Sequence, residues 1–197
     1  MASRIDARLQ GDLFSVAPIS APTPSKLKGA LRRKRVRQWS SVALLAFVMA
    51  SYNGITSWRE THAFMINASE SLPNWAFFVE KGGEVAKGKY VFFVPPSNAL
   101  VRRHFGPDSG PFGKRVIGMP GDLVSHDGPW VLVNGVRVAH MKPRSRFGET
   151  LTPGPVGRVP EGCYYVGSPH PDGFDSRYAE IGFACRKQLI GTGTPIL

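Results

Sequence analysis

Three residues in this chain stand out as a set that could carry covalent chemistry. Ser69 and Ser71 stand two apart in NASESLPNW (Asn67–Trp75), and Lys114 opens the run KRVIGMPGD (Lys114–Asp122). A serine in a polar loop that ends at a proline is a turn residue by default. It becomes a nucleophile only when a base removes its proton. A lysine can be that base if apolar surroundings depress its pKa, because desolvation disfavours the ammonium form. Lys114 leads the apolar segment Val116–Met119 and fits this role, whereas Lys81, Lys87 and Lys89 sit among Gly and Glu and read as solvent-exposed. The competing structural reading of Lys114 is a side chain that snorkels from a strand end into water.

Other chemistries find less support. The five histidines (His62, His104, His126, His140 and His170) are scattered and form no H-E-x-x-H pair, so no metal site is expected. His170 and Asp172 could supply part of a Ser-His-Asp triad, but no G-x-S-x-G elbow accompanies them. Neither a G-x-G-x-x-G nor a P-loop occurs, and no cofactor is expected. The two cysteines, Cys163 and Cys185, form no C-x-x-C pair. They read as one disulfide in an oxidising compartment or as two buried thiols in a reducing one.

The elements that must position these residues fall into three parts. Residues 1–38 carry nine Lys/Arg against two Asp, a net +7 that leaves +4 for the other 159 residues. This basic arm, 1–38, is expected to be largely disordered, most plainly over residues 1–25 with their mixed polarity and late prolines. Seven of its basic residues lie between Lys26 and Arg37, immediately before an uncharged stretch of 20 residues, Trp39–Trp58. That length suits a bilayer crossing, and the terminal tryptophans suit its two interfaces. Only Val42–Ala50 is continuously apolar, and Ser51, Asn53, Gly54 and Thr56 dilute the rest. Residues 39–58 are read as a single uncleaved transmembrane anchor, with a cytoplasmic N-terminus because the basic cluster precedes it.

Beyond Trp58 the pattern turns to β. Trp75–Val79 and Lys89–Pro95 are short aromatic and β-branched runs. Two more flank Asn134-Gly135 within Trp130–Val138, the pair favoured by a type I′ hairpin turn. Cys163–Gly167 and Gly182–Gly191 add further strands, and Ser97–Phe105 reads as a short helix capped by Ser97. The expected fold is all-β and mostly antiparallel, preceded by an N-terminal transmembrane helix.

The motifs also carry a resemblance. KRVIGMPGD resembles the K-R-x-x-G-x-P-G-D box of type I signal peptidases, membrane-anchored serine proteases with a Ser-Lys dyad. FDSRY (Phe174–Tyr178) is similar to that family's D-S-R box, and Ser71-Leu72-Pro73 to its Ser-Met-x-Pro box with one residue fewer. The shortening, the preceding NASES and the tyrosine after D-S-R resemble the TraF-like branch, peptidases of conjugative transfer that mature pilin subunits. Gly88-Lys89 stands where the family usually has Gly-Asp.

The resemblance implies Ser71 as nucleophile, Lys114 as general base, and the Ser69 hydroxyl with the Ser71 N–H as the oxyanion hole. Asp175, Ser176 and Arg177 would support the active-site region, with Arg177 an ion-pair partner. It also implies a periplasmic serine peptidase domain over 59–197, held at the bacterial inner membrane, cleaving a precursor protein after small residues. Membrane lipid is then a partner, and nucleic acid is not expected. The alternatives are a general secretory signal peptidase, a non-catalytic envelope scaffold, and a DNA-associated protein whose basic arm binds phosphates.

Overall fold

The computed structural model describes residues 24–67, 69 and 71–196, apart from the side chains of residues 24–28, 30 and 31. The expected disorder of residues 1–23 lies outside the described residues. The chain divides into two units, residues 1–53 and 54–197.

A single helix, α1 (Pro24–Thr61), begins in the first unit and ends in the second. The basic run expected to belong to a disordered arm is therefore helical from Pro24 onward. Its composition explains this: Pro24 takes the first helical position, where its missing N–H costs nothing, and Leu, Ala, Lys and Arg follow. Val42, Leu44, Leu45, Phe47, Val48 and Met49 are exposed along the helix. The expected transmembrane segment at 39–58 is met in its helical conformation, but no helix among the described residues is long and apolar enough to cross a membrane. The polar residues after Ala50 lower the apolarity of what would be its second half.

The second unit is built from antiparallel strands. They are β1 (His62–Ile66), β2 (Ala76–Lys81), β3 (Tyr90–Phe93), β4 (Phe112–Gly118), β5 (Leu123–Asp127), β6 (Trp130–Val133), β7 (Val136–His140), β8 (Gly157–Arg158), β9 (Cys163–Gly167), β10 (Ala184–Cys185) and β11 (Leu189–Pro195). One seven-stranded sheet has the order β1-β2-β11-β3-β4-β9-β10, and a four-stranded sheet has the order β7-β6-β5-β8. The mostly antiparallel β reading of the sequence thus holds. β1, β5 and the two-residue β8 are not foreseen by the sequence reading, and the Gly182–Gly191 run splits between β10 and the start of β11.

β9, next to the last strand of the larger sheet, is buried on both faces. Tyr165 joins the core that includes Val124, Val131 and Val133 of the smaller sheet. Its neighbours Tyr164 and Val166 join a second core with Val91, Phe93 and Val116. A third cluster, Leu72, Phe77, Val79 and Phe92, lies against the start of the larger sheet.

Turn chemistry fixes the register where it matters. Asn134 and Gly135 both have positive φ, as a type I′ hairpin requires. The Asn134 side chain also accepts from Leu123 N at 2.8 Å and donates to Asp122 Oδ1 at 2.8 Å. Asp122 in turn closes the Met119–Asp122 turn, accepting from Met119 N at 2.8 Å while its own N–H bonds Met119 O at 3.0 Å. Pro120 then stands second in that turn and Gly121, with φ of 88°, third, the arrangement of a type II turn. The short helix α2 (Ala99–Phe105) is capped by Asn98 and not by Ser97. Asn98 accepts from Val101 N at 2.9 Å and donates to Glu180 O at 2.7 Å, anchoring α2 to the β unit as well as capping it.

Cys163 and Cys185 face each other in the β9–β10 pairing and are joined by a disulfide. The bond closes a sequence separation of 22 residues, and a loop of that order confers about 3 kcal/mol. Reduction, or paired Cys163→Ala and Cys185→Ala substitution, should lower unfolding free energy by about that amount in denaturant titration, with β10 the first element to lose amide protection.

Candidate active site

The loop between β1 and β2 carries the two serines. Asn67 N–H bonds Trp75 O at 2.7 Å and continues the β1–β2 pairing by one step, so these two residues close the base of the loop. Leu72 is buried in the cluster with Phe77 and Phe92 and pins the C-terminal side of this loop. Ser69 Oγ lies 2.8 Å from Ser71 Oγ.

Lys114 reaches the same place from β4. Strand alternation turns Arg115 outward, where its Nε donates to Gly88 O at 3.0 Å, and turns Lys114 and Val116 inward. Lys114 is only 5% exposed. Its neighbour Gly113 is a packing requirement: a Cβ there would stand 2.8 Å from Phe92 Cε1 and 3.2 Å from Leu72 Cδ1. The missing side chain lets β4 pass close under the residue next to Ser71.

Ser69, Ser71 and Lys114 line one cleft of about 670 Å³, together with Asn67 and the aromatic rings of Phe105, Phe112 and Phe174. The Phe112 ring centroid is 5.9 Å from Lys114 Nζ. Among the described residues Lys114 Nζ makes no hydrogen bond or ion pair, with Ser71 Oγ or any other group. Burial pushes its pKa below the ordinary lysine value; the Asp175 carboxylate opposes that shift and the Arg177 guanidinium adds to it. A depressed lysine pKa favours the neutral amine that a general base must be.

Asp175, Ser176 and Arg177 are all buried and hold the floor of this region together. Asp175 Oδ1 accepts from Arg177 Nε at 2.8 Å, and Oδ2 accepts from Arg177 Nη2 at 3.0 Å, the two-pronged geometry that suits a guanidinium and a carboxylate. Ser168 N donates to Asp175 Oδ2 at 3.0 Å, and Arg177 Nη2 donates to Ser168 O at 2.8 Å. Ser176 exchanges two 3.0 Å bonds with Val166 on β9, through its N–H to Val166 O and from Val166 N–H to its Oγ. β9 pairs with β4, so this network is one strand removed from Lys114.

Gly173 makes room for the network, since a Cβ there would meet Ser168 Oγ at 2.2 Å and Arg177 Nη2 at 2.8 Å. His170 and Asp172 also line the cleft, but Asp172 is paired with Lys142. Its N–H bonds His170 Nδ1 at 3.1 Å, so its carboxylate does not orient that ring as a triad would.

Sequence reasoning missed Asn67, Gly113 and Ser168. Asn67 was the most accessible of them, being two residues before a candidate oxyanion serine. Gly88-Lys89 forms an exposed turn, with Lys89 N bonded to Ala86 O at 3.1 Å.

The buried amine has a consequence for stability. Because Lys114 titrates lower in the folded chain than in the unfolded one, the unfolded state binds more protons between the two pKa values. Stability should therefore rise with pH through that window, which ends at the ordinary value of 10.5. Lys114→Met keeps the bulk and removes the titration. It should leave the protein more stable at neutral pH and flatten the rise, as read by denaturant unfolding from neutral to alkaline pH.

Against known proteins, the family model described as signal peptidase, peptidase S26, matches residues 36–197. A signal peptidase I of Bacillus amyloliquefaciens is 38% identical over 88 residues, covering 40% of this chain and 46% of that protein. The chain therefore spans about half the length of that curated relative. A crystal structure of a signal peptidase I from Enterococcus faecalis aligns over 56% of this chain and 97% of that one, with 25% identity and a TM-score of 0.37, too low to bear on the fold. The family match covers most of the chain and includes the serine loop, the Lys114 strand and the Asp175–Arg177 network: the chain belongs to the signal peptidase family, peptidase S26.

Proposed function

We propose that this protein is a membrane-anchored serine endopeptidase whose Ser71 and Lys114 form a catalytic dyad. The observation that carries the reading is a lysine, buried and with its pKa depressed, facing the same cleft as Ser71 and Ser69. Neutral Lys114 Nζ takes the proton from Ser71 Oγ as that oxygen attacks the scissile carbonyl carbon. The carbonyl oxygen becomes an oxyanion held by the Ser71 N–H and the Ser69 hydroxyl. As the C–N bond breaks, Lys114 returns the proton to the leaving amine, and an acyl-enzyme on Ser71 remains. Water, deprotonated by the again neutral Lys114, then releases the acid. If an amine of the substrate attacks instead, the acyl group closes into a cyclic amide and no water is consumed. The resting separation of Ser71 and Lys114 does not oppose this, because catalytic hydrogen bonds often tighten only when substrate is bound.

The substrate is a precursor protein cut after small residues, and the setting is pilin maturation in conjugative transfer. The shortened Ser71-Leu72-Pro73 box, NASES and the tyrosine after D-S-R support this branch. A general secretory role is the second reading, favoured by the name of the matched Bacillus protein, signal peptidase I. We assign the peptidase unit to the periplasmic side of a bacterial inner membrane and the N-terminus to the cytoplasm. Seven basic residues directly ahead of exposed apolar helix support that orientation. Sharing one membrane with the precursor raises its effective concentration at the cleft.

The full chain, expressed in bacterial membranes with a candidate pilin precursor and followed by mass spectrometry, should process it after a small residue. Ser71→Ala and Lys114→Ala should lose nearly all turnover, and Ser69→Ala should lose about 10²- to 10³-fold. A product one water lighter than the linear peptide identifies cyclisation, and preferential processing of a secretory precursor selects the general role. Near-normal turnover by Lys114→Ala would sink the dyad.

A further inference from the structure

Among the described residues of the serine loop the Asn67 carboxamide is the best-connected side chain, and neither the dyad nor the oxyanion hole uses it. Its Oδ1 accepts from Ser69 N at 3.1 Å and from Ser69 Oγ at 3.0 Å. Its Nδ2 donates to Leu72 O at 3.1 Å and to Asn74 O at 3.1 Å. Both donors thus meet carbonyls and the acceptor meets two donors, so the amide has one satisfactory orientation. An aspartate of the same shape would place an oxygen against two carbonyls. The chemistry of the loop therefore calls for asparagine.

Ser69 spends its hydroxyl proton on Asn67 Oδ1, and its oxygen is left to accept from Ser71 Oγ at 2.8 Å. A directed chain results, from Ser71 to Ser69 to Asn67. We infer that Asn67 is the positioning residue of the oxyanion hole, acting through Ser69; the inference rests on the peptidase reading above. Asn67 holds Ser69 by its backbone N–H and fixes the hydroxyl beside the nucleophile. As negative charge develops on the scissile oxygen, the Ser69 O–H turns from Oδ1 to the oxyanion, while Oδ1 keeps the Ser69 N–H. The Ser71 proton, released from its bond to Ser69, passes to Lys114 as Ser71 Oγ attacks. The Asn67 side chain bonds Ser69, Leu72 and Asn74 and makes no hydrogen bond to Ser71 Oγ.

A residue that places an oxyanion donor in advance of the reaction lowers kcat when it is lost and leaves KM little changed. A double-mutant cycle separates this role from general support of the loop. It uses full-length enzyme and a peptide spanning the mapped cleavage site. In the wild-type background Asn67→Ala should lower kcat about tenfold or more, part of the 10²- to 10³-fold worth of an oxyanion donor, with KM little changed. In the Ser69→Ala background the same substitution should cost less than about threefold. Asn67→Ser is the milder companion, for use if Asn67→Ala does not fold. Its hydroxyl can still accept from the Ser69 N–H two residues on, but it gives up the hold on the Ser69 hydroxyl. It should show the same coupling. Equal losses in both backgrounds, or a loss confined to KM, would overturn the inference while wild-type cleavage left the peptidase reading standing. Absence of cleavage by the wild type, with the protein folded, would overturn both.

Discussion

The architecture of this site depends on keeping one amine out of water. An ammonium is strongly hydrated, and burying it costs far more than burying the neutral amine, so a lysine enclosed as Lys114 is gives up its proton more readily. Inward strand alternation, the Phe112 ring and the close approach allowed at Gly113 supply the enclosure. The Asp175 carboxylate works the other way and raises the Lys114 pKa, by less than burial lowers it. Its partner Arg177 takes both carboxylate oxygens, and its guanidinium pushes the Lys114 pKa back down. The buried ion pair thus lets a carboxylate brace the strands near the site while Arg177 offsets part of its pull on the amine.

Rigidity around the cleft follows from the same parts. Ser176 is bonded into β9, β9 pairs with β4, and β4 carries Lys114. On the other side Leu72 seats the serine loop in the third hydrophobic cluster, and Asn67 cross-links its two ends. Ser71 and Lys114 thus come from elements far apart in sequence, each fixed by its own packing. A precise site built on a β scaffold needs this double support.

Much of this was legible in the sequence because it rests on local chemistry. Asn134-Gly135 specified its hairpin, and the aromatic runs their strands. The three boxes named the residues that the fold gathers around the cleft or beneath it. What stayed hidden depends on partners distant in sequence. Asn98 displaced Ser97 as the cap because it also reaches Glu180, 82 residues away. β5 is short and half-exposed, and it is secured partly by the Asn134 side chain. The basic run before Trp39 read as disordered from its charge, although its Leu, Ala, Lys and Arg content favours helix. Asn67 passed as an ordinary turn residue, since nothing in its spacing reveals four side-chain hydrogen bonds.

The most direct measurement is the titration of Lys114 itself, by NMR of the full chain with labelled lysine side chains and Lys114→Met to assign the signal. The account predicts a Lys114 amine that titrates well below 10.5, with the acid limb of kcat/KM following the same pKa. A Lys114 that titrates like the exposed lysines, or a rate that ignores its titration, would contradict it.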